Sequence, residues 1–317
     1  MTSIAQGSRA VLDRVATAVV GIEDALEVAL AAILAGGHVL FEDVPGLGKT
    51  LAARSLASAL GLDFRRLQCT PDLLPGDVTG SFVYAPDSGT FDFRPGPIFT
   101  GLLLADEINR TTPKTQSALL EAMAERQVSV DGTTHRLPAP FHVVATSNPV
   151  EYEGTYPLPE AQLDRFMVRL AVGYPGRDAE VDVLARRLAR REEGASVRQV
   201  VDVATLLAMQ AGVEAVAVDP DVLAYCVDLA AATRTHRAVE VGASPRGSQA
   251  LVLVARALAV LDGRDHVTPE DVKEVAAPAL AHRLSLTPQA WAAGLAPGTV
   301  VQEVLAQVAV PTTARRA

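Results

Sequence analysis

Val44-Pro-Gly-Leu-Gly-Lys-Thr50 lies between an apolar run, His38 to Phe41, and a helix-forming run, Leu51 to Leu60. Strand, glycine turn and helix in that order are the layout of a phosphate-binding P-loop. Backbone N–H groups must curl around phosphate oxygens there, so the turn needs residues without bulk. A Lys must reach the outer phosphates and a hydroxyl must hold Mg²⁺. Gly46, Gly48, Lys49 and Thr50 supply these parts. The strict pattern begins with a further Gly, and here that position is Asp43, so the motif is incomplete taken alone.

The chain of 317 residues is long enough for two domains, and 49% hydrophobic content can fill their cores. Apolar stretches such as Ala25 to Ala35 fall short of the roughly 20 residues of a membrane span, so a soluble protein is expected. Met1 to Arg14 has no basic start followed by a long apolar core, which points to a cytoplasmic protein. Cys69 and Cys226 have no Cys-x-x-Cys or His neighbours; they fit a reducing compartment and give no metal site. A formal charge of −9 opposes general attraction to nucleic acid. The basic cluster Arg186-Arg187 and Arg190-Arg191 falls at helical spacing beside Glu192 and Glu193, and reads as a solvated helix face.

Apolar periodicity predicts two helices between Ser8 and Gly36, broken near Gly21. Strands are expected at 38–41, 64–68, 102–105, 141–146 and 167–172, alternating with helical segments as in a parallel α/β sheet. Two hairpins interrupt the rhythm. Ser81 to Tyr84 and Thr90 to Phe93 flank Pro86-Asp-Ser-Gly89, and Gln127 to Val130 and Thr134 to Leu137 flank Asp131-Gly132-Thr133. Such hairpins either cover sheet edges or make contacts. Gly173-Tyr-Pro-Gly-Arg177 marks a boundary. The reading is an α/β nucleotide-binding core over 1–175, with inserts at about 77–97 and 126–140, and a helical domain over 176–317. Within the latter, Ser244-Pro245 and Thr268-Pro269 each place a hydroxyl cap before a proline at a helix start.

Leu102-Leu-Leu-Ala-Asp106-Glu107 is an apolar strand ending in two carboxylates. In an open parallel sheet, ligands gather at the carboxyl ends of strands, which would set this pair beside the P-loop. Asp106 can hold Mg²⁺ through its water shell while Glu107 orients and polarises the attacking water. Capping of the next helix is the alternative for such a pair in isolation. Asn148, at the end of the fourth strand, can bridge that water and the γ-phosphate, or form an Asx turn before Pro149. Arg165, in Leu163-Asp-Arg-Phe166, suits stabilisation of phosphoryl-transfer charge across a subunit interface, or a local ion pair with Asp164. Arg246 lies in a helix's first turn, where a cation opposes the dipole, so an anionic partner is expected; a γ-phosphate would serve.

Together these motifs resemble an AAA+ ATPase: a three-layer P-loop NTPase core of α/β class with a parallel sheet, plus a C-terminal all-α lid. The narrower resemblance is to the MoxR family. It rests on Ala105-Asp-Glu-Ile-Asn-Arg110, Pro113-Lys-Thr-Gln-Ser-Ala-Leu-Leu-Glu-Ala-Met123, Glu153 to Phe166, and Gly242-Ala-Ser-Pro-Arg246. It implies ATP and Mg²⁺ as cofactors, with Pro45, Gly46, Leu47, Gly48, Lys49, Thr50, Leu51 and Asp106 at the nucleotide, and Thr50 and Asp106 at the metal. Glu107, Asn148, Arg165 and Arg246 take the catalytic positions, and Val20 and Gly21 sit where related ATPases touch adenine. The family implies a homo-oligomeric, usually hexameric ring with chaperone-like action on client proteins. A separate von Willebrand factor A domain protein is often the partner. A nucleotide-gated scaffold and a DNA-dependent motor are the other readings, the acidic balance arguing against the motor.

Overall fold

The computed structural model describes residues 2–87, 89–150, 154–191 and 196–312; Ser88, Glu153, Glu192, Glu193 and the chain end from Thr313 fall outside them. The chain opens with α1 (Thr2–Ala16) and α2 (Glu23–Leu34), then β1 (Val39–Glu42), α3 (Lys49–Ala59), β2 (Phe64–Gln68) and α4 (Pro75–Thr79). The first hairpin, β3 (Gly80–Ala85) and β4 (Thr90–Pro95), precedes β5 (Leu102–Asp106) and α5 (Pro113–Glu125). The second, β6 (Gln127–Val130) and β7 (Thr133–Arg136), leads into β8 (His142–Ser147), α6 (Glu160–Leu163) and β9 (Val168–Leu170). A helical region follows: α7 (Arg177–Arg190), α8 (Val203–Glu214), α9 (Pro220–Thr235), α10 (Pro245–Leu261), α11 (Pro269–Leu280), α12 (Pro288–Ala292) and α13 (Pro297–Gln307). Two short strands, β10 (Val239–Val241) and β11 (Ser285–Leu286), pair antiparallel within it. At three and two residues they carry no readable alternation, which is why the sequence shows this region as helical throughout.

Five strands form a parallel sheet in the order β2-β5-β8-β1-β9. Leu102 to Asp106 and His142 to Ser147 are buried at every position, as central strands covered on both faces must be. Because all five run the same way, the segments leaving β1, β2, β5 and β8 emerge at one edge. Gly36-Gly37 and the residues before β9 lie at the opposite edge.

One apolar cluster covers the face built from α1, α2 and α3 and continues into α8, α9, α10, α11 and α13, so the helical region shares an interior with the sheet across the Gly173–Arg177 segment. A second cluster packs the other face, from Leu67, Val78 and Leu103 to Leu119, Met123 and Phe166. Helix starts follow local chemistry. Ser244 accepts from the Arg246 N–H, and Thr268 and Asp271 form a reciprocal capping box, each with proline at the next position. The hairpins join each other: the Phe93 and His135 rings stack with centroids 3.8 Å apart and planes at 11°.

Two buried histidines stand where β1 and β8 begin. His38 Nδ1 accepts from the Val143 N–H at 2.9 Å while its Nε2–H donates to the Met123 carbonyl at 3.3 Å. His142 Nδ1–H donates to the Gly37 carbonyl at 2.9 Å, and its Nε2 accepts from the Gln210 amide, which ties α8 to the sheet. These partners fix each tautomer and leave no acceptor for a second ring proton. Burial, then in His38 the neighbouring His142, pushes the two pKa values down to about 3 and about 4. Between those values and the ordinary 6.5 the unfolded chain binds protons that the native state refuses, so stability rises with pH through that window and levels off above it. Unfolding free energy measured in urea is expected to fall on acidification from pH 7 to pH 5. In His142→Gln that fall should shrink by the contribution of roughly one proton.

Candidate nucleotide site

Gly46 and Gly48 have φ of +86° and +79°, conformations in which a side chain is strained. A Cβ at Gly46 would meet no protein atom within 4 Å, and at Gly48 only Val19 Cγ1 at 4.0 Å. What glycine preserves here is therefore the backbone turn and the open space in front of it. The turn ends as the N-cap of α3, whose first amides and dipole face the same space.

Lys49 is buried, and its Nζ donates to the loop's own carbonyls, Asp43 O at 2.5 Å and Val44 O at 2.9 Å. Burial lowers its pKa against the opposing pull of Asp43, Asp106 and Glu107. The Asp43 carboxylate accepts three backbone N–H groups, from Val44 at 2.7 Å, Val172 at 2.8 Å and Gly173 at 2.6 Å. Burial alone would raise its pKa, but these donors and Lys49 hold it below the usual carboxylate range. The residue that breaks the P-loop pattern thus clamps the start of the loop to the end of β9. A glycine there would supply none of these bonds.

At the end of β5, Asp106 Oδ1 accepts from Thr146 Oγ1 at 2.6 Å, and the Glu107 N–H donates to that same hydroxyl at 2.8 Å. Asp106 Oδ2 faces the Thr50 hydroxyl at 3.3 Å. Glu107 has a φ of +57°, an uncommon backbone for a side chain of its size and the kind of strain that clusters at working sites. Its Oε2 accepts from Gln68 Nε2 at 2.9 Å and pairs with Arg110 at 3.1 Å. Arg66 reaches Asp106 Oδ2 with both Nε and Nη2, at 2.9 and 2.7 Å. Arg66 and Gln68 went unread in the sequence, although their i, i+2 spacing at the end of a strand puts both on one face. Thr146, which joins the two acids, gave no signal of its own.

These residues line a polar cavity of ≈ 360 Å³ from Pro45 to Leu51, Arg66, Asp106, Glu107 and Thr146 to Asn148. The Asn148 side chain also accepts from the Val150 N–H at 3.1 Å, so it forms an Asx turn and lines the site at once. An apolar cavity of ≈ 370 Å³ shares Pro45 to Gly48 and Leu51 and extends to Val19, Val20, Tyr174 and Leu184. Gly21 is absent from its lining: a Cβ there would lie 3.0 Å from Pro175 and 3.2 Å from Ala179, so the glycine allows close packing of the chain leading into α7. An apolar slot and a polar slot on either side of one P-loop fit a base and a phosphate chain. The Thr50 hydroxyl and Asp106 carboxylate are hard oxygen donors that fit Mg²⁺, which takes its remaining ligands from water and phosphate.

Arg165 and Arg246 line neither cavity. They share a third one of ≈ 260 Å³ with Gly36, Gly37, His38, Arg126 and Arg283, at the sheet edge opposite the P-loop. Arg165 Nη1 donates to the Leu120 carbonyl at 2.6 Å. Asp164 pairs with Arg283 at 2.7 Å, accepts from Ser244 and lies 3.9 Å from Arg246, which is the anionic partner that the first-turn arginine needs. Arg283, buried and unread in the sequence, also donates to the Phe166 carbonyl.

A P-loop leaving a parallel strand, an Asp-Glu pair two strands away and a helical lid packed on the sheet define an AAA+ ATPase. The family described as ATPases associated with various cellular activities (AAA) matches residues 38–168, and the AAA lid domain matches residues 231–316. The chain is 49% identical to the uncharacterised YeaC protein of Bacillus subtilis over 92% of its length and 91% of the relative. It is 42% identical to Chaperone MoxR1 of Mycobacterium tuberculosis over 92% of its length and 79% of that protein. A solved structure of a protein assigned as an ATPase, from Cytophaga hutchinsonii, superposes with a TM-score of 0.91 at 39% identity, covering 98% of this chain and 97% of that one. The chain belongs to the MoxR family of AAA+ ATPases.

Two substitutions test the loop. Lys49→Ala is expected to abolish nucleotide binding by calorimetry. Asp43→Gly, which restores the general loop pattern, removes three hydrogen bonds and is expected to lose about 2 kcal/mol in denaturant unfolding, with faster hydrogen exchange at Val172 and Gly173.

Proposed function

We propose that this MoxR-family ATPase hydrolyses Mg²⁺-bound ATP at interfaces between copies of itself, in a homo-oligomeric ring of six, to remodel or mature client proteins. The observation that carries the shared site is the placing of Arg165 and Arg246. Both line a cavity at the starting edge of β1 and β9, whereas the P-loop leaves β1 at its far end, and their cavity shares no lining residue with either cavity beside the loop. A guanidinium there serves the nucleotide of a neighbouring copy, not its own.

Within one copy the P-loop amides and Lys49 bind the phosphates, and leaving the Asp43 and Val44 carbonyls is what frees the ammonium to do so. Thr50 and Asp106 would hold Mg²⁺, which when bound neutralises phosphate charge. Glu107 orients the attacking water and Asn148 fixes its position against the γ-phosphate. Arg165 and Arg246 from the adjoining copy bind the charge that develops on the transferring group. The name of the mycobacterial relative, a chaperone, supports the remodelling role. A von Willebrand factor A protein as partner and a cytoplasmic setting complete the reading. Among the described residues no helix is long and apolar enough to cross a membrane, and the charge of −9 disfavours nucleic acid.

Glu107→Gln is expected to keep ATP bound and stop turnover; normal turnover in that variant would remove Glu107 from its role. Arg165→Ala is expected to lower kcat on the order of 10³-fold or more. Mixing Arg165→Ala with Lys49→Ala should restore activity, because the first contributes an intact P-loop and the second an intact arginine. No recovery at any ratio would count against a shared site.

A further inference from the structure

Thr50 Oγ1 and Asp106 Oδ2 stand 3.3 Å apart, and it is this same Asp106 oxygen that Arg66 grips with two nitrogens, at 2.9 and 2.7 Å. The other carboxylate oxygen is taken by the Thr146 hydroxyl at 2.6 Å. Arg66 therefore does not merely neighbour the acid. It covers the face of Asp106 that points to the threonine hydroxyl, and it brings one positive charge there. Gln68 Oε1 accepts from Arg66 Nη2 at 2.7 Å and holds the guanidinium in that position.

We propose that Arg66 is a built-in counter-cation that occupies the magnesium face of Asp106 and is displaced when Mg²⁺ binds with nucleotide, so that Arg66 sets how much Mg²⁺ nucleotide binding requires. The inference rests on the reading that Thr50 and Asp106 hold the metal. Two cations cannot share one carboxylate oxygen without repulsion, so arrival of the metal and departure of the guanidinium are one exchange. Arg66 has somewhere to go: its side chain is 47% exposed while that of Asp106 is 10% exposed. Its strand is at the edge of the sheet, open to solvent on the side away from β5. The guanidinium can therefore swing into solvent, whereas the buried carboxylate has to be answered by some cation, the arginine or the metal. As a positioning residue, Arg66 keeps Asp106 neutralised and oriented toward Thr50 until the metal replaces it.

The test is the affinity for ADP, measured by titration calorimetry across a series of free Mg²⁺ concentrations, for the wild type, Arg66→Gln and Arg66→Lys. Arg66→Gln should lower the Mg²⁺ concentration at the midpoint of the affinity gain by about tenfold, the factor of one charge-assisted hydrogen bond. Arg66→Lys keeps the charge but loses the fork, and its midpoint should fall between the two. A midpoint that stays or rises in Arg66→Gln overturns the proposal. So does a drop in its metal-free ADP affinity, which would make Arg66 a phosphate ligand. If Arg66→Gln does not fold, Arg66→Lys decides by the same shift. A wild type that binds no ADP at any Mg²⁺ concentration overturns the nucleotide reading itself, and the proposal with it.

Discussion

Parallel pairing of β1 with β8 on one side and β9 on the other decides which edge of the sheet the P-loop and Arg165 each reach. Strands that run together deliver their carboxyl ends to one edge, so the P-loop, Asp106, Glu107 and Asn148 meet although more than a hundred residues separate the first from the last. The same pairing sends whatever precedes β1 and β9 to the other edge. Arg165 is three residues ahead of β9 and cannot be at both. A single copy thus holds its acids and P-loop at one end and these arginines at the other.

Charges at the two edges of the sheet are answered within the chain. Lys49 rests on loop carbonyls, Asp106 on Arg66, Glu107 on Gln68 and Arg110, and Asp164 on Arg283. Partners of this kind keep partly buried charges from standing unpaired, at the expense of having to be exchanged when a ligand arrives. Asp43 is the exception, since its three backbone donors belong to the fold itself and tie the loop to the segment that leads toward α7. A departure from the general motif is thereby a structural gain. It ties the entry of the glycine loop to the chain just beyond β9.

What was legible in the sequence had its cause within a few residues. The strand-turn-helix of the P-loop, the acids closing an apolar strand and the proline-plus-cap starts of α10 and α11 all carry their own local chemistry. The Asx alternative for Asn148 and the cavity-lining role turned out to coexist. Contacts made by pairing across the sheet were hidden. Nothing near Arg66 says that β2 lies beside β5, nothing near His135 says that Phe93 will stack on it, and Arg283 meets Asp164 from 119 residues away. The position of Arg246 could be named from its motif, but which edge of the sheet it faces follows only from how the lid packs.

The division of the site between copies is the claim on which the rest turns. Electron cryomicroscopy of assembled Glu107→Gln protein saturated with Mg²⁺ and ATP tests it directly, by measuring what lies within hydrogen-bond distance of the γ-phosphate. An Arg165 guanidinium from the adjoining copy is expected there, released from the Leu120 carbonyl that holds it in the single chain. A γ-phosphate surrounded only by groups of its own copy, with every Arg165 still on Leu120, would contradict it.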